Sequence, residues 1–159
     1  MSEILREKGT YLLLIRCLND TKRKVGSLGL LTLHSNKTYI YVGSAFGPGG
    51  LLSRVRRHLS REKKKFWHID YILDYENKCY VVYVIIIPKV KAEHEIAKDL
   101  LKIADGALKK FGSSDCECYA HMFFFSKKPE ETLFLVKEYL EKRNYKYTVL
   151  RPYLSNLSR

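Results

Sequence analysis

Tyr80-Val81-Val82-Tyr83-Val84-Ile85-Ile86-Ile87, closed by Pro88, is the stretch that decides the fold. Apolar residues occupy both parities of this run, so a strand formed here has no face to give to water. It must be covered on both sides and reads as a central strand. Pro88 lacks the N–H that a ladder needs and ends it. Towards the N-terminus, residues 10–18 read as a second buried strand, rich in leucine, isoleucine and tyrosine. Residues 19–24 read as a charged loop. Residues 29–33 and 37–42 read as two strands joined in a hairpin through Ser35-Asn36. Residues 43–50 carry Gly47, Pro48 and Gly49 and read as a loop, from which a helix runs to about Lys63. Residues 67–73 fit either a short strand or a helical turn. Downstream, a second helix spans about residues 92–104 and a short apolar strand spans 122–125. Pro129 suits the first turn of a third helix reaching about Arg143. Residues 145–150 alternate like an edge strand. Strands and helices mix without a regular βαβ order, which predicts an α+β fold: a small, mainly antiparallel sheet flanked by helices.

At 159 residues the chain is expected to be one domain, 1–159, with enough core to need no cross-link. Its apolar content, 46%, excludes intrinsic disorder. Lys and Arg number 29 against 17 Asp and Glu, a net charge of +12 that attracts phosphate backbones. The dense patches are residues 22–24, 54–57 and 61–65. The opening Met1-Ser2-Glu3-Ile4-Leu5-Arg6 has no apolar core of a signal peptide. The run 81–87 is too short to span a bilayer. A cytoplasmic protein without membrane attachment is therefore expected, with its four cysteines reduced.

On the first helix, Leu51, Leu52, Val55 and Leu59 share one stripe, and Arg54, His58 and Arg61 lie along its border. A border position lets an arginine stem pack while the guanidinium stays accessible. Arg56 and Arg57 lie further round and suit simple phosphate contacts, as do Lys63, Lys64 and Lys65. On the second helix, Ile96, Leu100 and Ile103 define the buried face with Ala97 and Ala104 beside them. Glu93 projects into the same sector, whereas Glu95 points to the solvated side. An inward carboxylate is costly unless it is paired or holds a cation, which makes Glu93 the candidate metal ligand.

Tyr11 and Tyr41 lie in or beside apolar strands, where a tyrosine is commonly a core residue. Gly9 and Gly43 beside them allow close approach of backbone or ligand. His68 and Asp70, beside Trp67 and Tyr71, suit an oriented pair, a base-stacking edge, or a structural role. Cys116-x-Cys118 with His121 invites zinc, with Asp115 as a fourth group. The cysteine gap is shorter than zinc sites use, and buried thiols are the default. His34 and His94 read as surface residues. No glycine-rich nucleotide loop and no serine-histidine-acid order is present.

Taken together, Gly9-Thr10-Tyr11, Tyr41-Val42-Gly43, Leu51-x-x-Arg54-x-x-x-His58 and Glu93 followed by Ile96, Ala97 and Leu100 resemble the GIY-YIG nuclease superfamily. The phrases YVGSAFGPGGL, WHIDYIL and FGSSDCEC are similar to a compact, mainly archaeal branch found alone or fused to a base-excision glycosylase. The resemblance covers about residues 9–125 and leaves the C-terminal helix and strand, about 128–152, outside it. It implies a small antiparallel sheet between helices and cutting of DNA with one divalent ion, Mg²⁺ or Mn²⁺. By resemblance, Glu93 would hold the ion and Arg54 would stabilise the scissile phosphate. One of Tyr11 and Tyr41 would position or deprotonate water, and the other, with His58, would orient water or phosphate. Arg56, Arg57, Arg61, Lys63, Lys64, Lys65 and His68 are the expected nucleic-acid contacts. The interval between the two tripeptides is longer than the family's, and Gly47-Pro48-Gly49-Gly50 is an insertion. The family's asparagine has no obvious counterpart, Ser113, Ser114 or Asp115 standing nearest. The nuclease reading carries an expected role in DNA repair or recombination and a possible targeting or repair partner protein; the competing readings are a non-catalytic nucleic-acid-binding module and an RNA-directed enzyme or binder.

Overall fold

A computed structural model describes residues 2–60, 64–65, 67–73, 78–112 and 119–152. Helix α1 (Ser2–Arg6) leads into strand β1 (Gly9–Cys17), followed by β2 (Thr21–Lys24), a 3-10 turn and β3 (Leu30–Leu33). Strand β4 (Thr38–Ala45) precedes helices α2 (Gly50–Leu59) and α3 (Asp70–Leu73) and strand β5 (Cys79–Pro88). Helix α4 (Glu93–Ile103), strands β6 (Gly106–Ala107) and β7 (Met122–Phe125), helix α5 (Pro129–Lys142) and strand β8 (Thr148–Leu150) complete the chain. The main sheet has the order β6-β7-β4-β1-β5-β8, every pairing antiparallel, so the fold is α+β with a mainly antiparallel sheet flanked by helices.

Both faces of the sheet are covered, as the apolar parity of β5 requires. Tyr11, Leu13, Ile15, Tyr39, Tyr41, Val84 and Ile86 face one core with α1, α2, α3 and the β2–β3 ribbon. Leu12, Leu14, Ile40, Val42, Ile85 and Ile87 face the other, under α4 and α5. A bulge opposite Leu14/Ile15 shifts the register of β5, which returns Val81 and Cys79 to the first core. β5 is an interior strand between β1 and β8, and β4 and β1 share the middle of the sheet. The sheet edges are the short β6 and β8, which limits the row of backbone groups open to further pairing.

Five expectations are corrected. The 19–24 segment is not all loop: Thr21–Lys24 form β2, paired with β3 and anchored where Arg23 Nε donates to the Tyr71 carbonyl at 3.1 Å. The Ser35-Asn36 hairpin does not pair its strands with each other. β4 already bonds β1 on one edge and β7 on the other, so β3 turns to β2. Ile103 is not in the core but 46% exposed, because α4 ends there, and the inward place on this helix is taken by Asp99. Asp99 is held by the Tyr139 hydroxyl at 2.5 Å and the Arg143 guanidinium at 2.9 Å, which ties α5 to α4. Not all cysteines are reduced. Cys17 and Cys79 are cross-strand partners at the ends of β1 and β5, and that register brings them into a disulfide. Helix α2 stops at Leu59, where Ser60 is extended, short of the Lys63 expected. Among the described residues no helix is long and apolar enough to cross a membrane.

Candidate active site

Register builds the first half of the site. Tyr11 of β1 stands directly opposite Gly43 of β4, and its ring lies over the glycine. A Cβ at Gly43 would come within 2.3 Å of the Tyr11 ring, so only glycine leaves room for this tyrosine. Gly9 is constrained in the same way, since a Cβ there would meet the Ile87 carbonyl at 2.4 Å. Two residues along β4 from Gly43, Tyr41 faces the same side, as the two-residue period of a strand dictates. The Tyr11 and Tyr41 ring centres are 6.5 Å apart.

Helix α2 supplies the next two groups. Leu51, Val55 and Leu59 bury its apolar stripe, and this sets His58 inward at 1% exposure. The Tyr11 hydroxyl is 2.6 Å from His58 Nε2, and the Tyr41 ring meets the imidazole edge-on at 5.9 Å. One turn earlier, Arg54 Nη1 donates to the Ser44 carbonyl at 2.9 Å, and the guanidinium lies 4.5 Å from the centre of the Trp67 ring. The start of α2 is fixed by a hydrogen bond from Leu51 N–H to the Glu7 carbonyl at 2.9 Å.

Glu93 comes from the opposite layer, at the first position of α4. Thr10, the middle residue of the first tripeptide, sets it there. Its hydroxyl donates to the Val90 carbonyl at 2.7 Å and accepts from the Ala92 N–H at 3.0 Å, clamping the turn immediately before the helix. The Glu93 side chain is 23% exposed, and one oxygen lies 3.3 Å from Nδ1 of the buried His121. The other faces His94 Nε2 at 3.6 Å. Glu95 is exposed on the far side, so the expected contrast between the two glutamates holds.

Electrostatics tie these groups together. Burial pushes the phenols of both Tyr11 and Tyr41 well up, and the Arg54 guanidinium pulls each back while the Glu93 and Asp70 charges raise each further. Tyr11 is thus a neutral phenol at ordinary pH, and it shares a hydrogen bond with His58 Nε2 whose direction is set by the imidazole tautomer. Tyr11 and Tyr41 each feel the charges of both Arg54 and Glu93.

The expected nucleic-acid contacts divide. Arg56, Lys64 and Lys65 are exposed. Arg57 is engaged with Asp70 at 2.5 Å and, like Arg54, lies 4.5 Å from the Trp67 ring centre. His68 is a brace: its Nδ1 accepts from the Gly112 N–H at 2.8 Å, its ring packs on Phe111, and burial lowers its pKa. Arg61 and Lys63 lie outside the described residues, as do Ser113, Ser114, Asp115, Cys116 and Cys118. His121, read with those cysteines in the sequence, instead faces Glu93.

Sequence reasoning missed Thr10 and His121 as neighbours of the metal candidate and Asp70 as the anchor of Arg57 and Trp67. A threonine inside an otherwise apolar strand was the one local signal for Thr10. Among the described residues no three or more His, Cys, Asp or Glu are grouped to hold a metal ion. One partly exposed carboxylate is a donor set for a cation that keeps most of its water, as Mg²⁺ does, and not for structural zinc.

A family model described as "Domain of unknown function DUF123" matches residues 10–144, most of the chain, and the chain belongs to that family. Nothing matches among curated proteins, and nothing matches among solved structures.

Proposed function

We propose that this member of the DUF123 family is a divalent-metal-dependent endonuclease that hydrolyses phosphodiester bonds in nucleic acid, DNA before RNA. The observation that carries the reading is the meeting of Tyr11, Tyr41, Arg54 and His58, with the Glu93 charge felt by both phenols. These residue types answer the needs of phosphodiester hydrolysis: a proton acceptor for water, a cation for the phosphate and a carboxylate for a metal ion.

Glu93 would hold Mg²⁺ or Mn²⁺, which when bound neutralises charge on the scissile phosphate and its leaving oxygen. Arg54, aimed by Ser44 and Trp67, grips a phosphate oxygen. Water attacks phosphorus and gives its proton to the Tyr11 oxygen as Tyr11 passes its own proton to His58 Nε2. The new P–O bond replaces the bond to the leaving oxygen, which takes a proton from solvent. The 2.6 Å contact supports Tyr11 rather than Tyr41 for this relay, with Tyr41 packing the imidazole in place. The net charge of +12 supports a polyanionic substrate. The reading places the protein in the cytoplasm with its substrate, where a stable disulfide is chiefly a habit of hyperthermophile proteins.

The purified protein is tested on supercoiled, nicked, branched and single-stranded DNA and on matched RNA with Mg²⁺ or Mn²⁺. Cleavage is expected, abolished by chelator and by Glu93→Gln and Arg54→Ala. No cutting of any substrate sinks the reading. A second reading, a binding module without turnover, is favoured by the burial of Tyr11, Tyr41 and His58 at 1%, 7% and 1% exposure. In that case the same variants leave nucleic-acid affinity nearly intact and there is no activity to lose.

A further inference from the structure

Beside this cluster lies a cavity of about 470 Å³ lined, among the described residues, by Arg57, Lys64, Lys65 and Trp67. It combines an indole with three cationic side chains, and its size is that of a small-molecule site. Its base is firmly built. Asp70, fully buried at the start of α3, binds the Arg57 guanidinium at 2.5 Å and accepts the Trp67 backbone N–H at 2.8 Å. The backbone of Trp67 is thereby fixed, its indole is held by the Arg54 and Arg57 guanidiniums, each 4.5 Å from the ring centre, and Lys64 and Lys65 remain at the surface. The cavity also adjoins the catalytic candidates, since the Trp67 ring is 6.1 Å from that of His58 and carries the Arg54 guanidinium.

We propose that this cavity binds an unpaired nucleotide next to the phosphate held by Arg54, so that the protein engages a strand that is single-stranded beside its site. The inference rests on the nuclease reading only for what lies next door; the cavity makes its own case. An aromatic surface ringed by cations suits a base and its phosphate together. A base inside a duplex is stacked on both sides and cannot enter such a pocket, so the ligand must be unpaired. A second cavity, about 410 Å³ beside α5, is lined by Lys127, Glu130, Glu131, Phe134 and Leu135, and with two carboxylates to one ammonium it suits a phosphate less well.

Trp67 is the single tryptophan of the chain, so its fluorescence reports on this cavity alone. In chelator, the protein is titrated with oligo-dT, with oligo-rU and with a fully paired hairpin of equal length whose strands are closed by a non-nucleotide linker. Single strands are expected to quench Trp67 and to bind more tightly than the hairpin, and the dT and rU arms tell which sugar is preferred. Trp67→Ala is expected to weaken single-strand binding about 5- to 150-fold, the span measured for one base–aromatic stack. Should that variant fail to fold, Lys64→Ala with Lys65→Ala, both on exposed side chains, is expected to weaken binding and flatten its salt dependence. Absence of quenching by single strands, or equal quenching by the hairpin, overturns the proposal. Cleavage assays run alongside separate the two readings. Quenching without cutting leaves the pocket standing and removes the nuclease, whereas rapid cutting of paired DNA without quenching does the reverse.

Discussion

The Tyr11 hydroxyl and His58 Nε2 are 2.6 Å apart although the residues are 47 positions apart in the chain, one on β1 and one on α2. Burial keeps the phenol protonated, and in the proposed mechanism the pair would act as one proton carrier in which neither residue replaces the other. Tyr11→Phe and His58→Ala are each expected to lower the cleavage rate by about 10²–10⁴-fold. The double variant should be no worse than the poorer single one, as for groups acting as a unit. Multiplying losses in single-turnover rates would refute the relay.

Gly43→Ala places a methyl group where the Tyr11 ring lies, at 2.3 Å from it. Tyr11 is buried and held by His58, so it has no free space to move into. A loss of about 1–3 kcal/mol in unfolding free energy is expected, together with loss of cleavage. Denaturant titration measures the first, and a variant as stable as the parent contradicts the packing described.

Thr10→Val keeps the shape of the side chain and removes its hydroxyl. The Ala92 N–H and Val90 carbonyl then lose their partner at a fully buried position, at a cost of about 1–3 kcal/mol. The start of α4 shifts and Glu93 with it, so the concentration of Mn²⁺ needed for half-maximal binding, read by titration calorimetry, is expected to rise. An unchanged metal affinity would show that Thr10 does not place Glu93.

The Cys17–Cys79 disulfide closes a loop with a sequence separation of 62. Loop-closure entropy puts its stabilisation at about 4 kcal/mol. Adding a reductant, or making Cys17→Ala with Cys79→Ala, is expected to lower the melting temperature clearly. Identical melting curves with and without reductant would mean the cross-link is not formed or contributes nothing.

Alkaline pH provides a further check. Tyr11, Tyr41 and Tyr145 are all raised above their ordinary value of 10.0, Tyr145 up to about 12 by burial and by Glu95. Below pH 10 these tyrosines are protonated in both folded and unfolded chains, and their contribution is constant. Above it the unfolded chain releases protons that the folded one keeps, so stability falls as pH rises. Urea unfolding at stepped pH should show a plateau and then a decline beginning near pH 10, less steep between 10 and 12 in Tyr145→Phe. Stability rising across that interval would contradict the buried phenols.

Local signals carried much of the fold. The apolar run of β5, the apolar β1 and β7, and Pro129 at the start of α5 announce themselves because periodicity and proline act within a few residues. Gly43 was legible as a close-approach glycine, though not what approached it. Partners across the chain were not legible. Whether Leu30–Leu33 would pair with β2 or β4 depended on which edges β1 and β7 had already taken. In the sequence Asp70 reads as a partner of His68 and His121 as a zinc candidate, while Asp99 draws no reading, yet Asp70 is buried against Arg57, His121 against Glu93 and Asp99 against Arg143.

The amino-acid sequence by itself determined the class of fold, the basic surface, and the tyrosines, arginine, histidine and glutamate worth watching, because side-chain type and spacing act locally. Only the tertiary structure decided which of them meet: register set Tyr11 over Gly43, helix packing turned His58 onto Tyr11, and the Thr10 clamp brought α4 to the same end of the sheet. Such contacts join residues tens of positions apart, and their free energy exists only once strands and helices have been brought together.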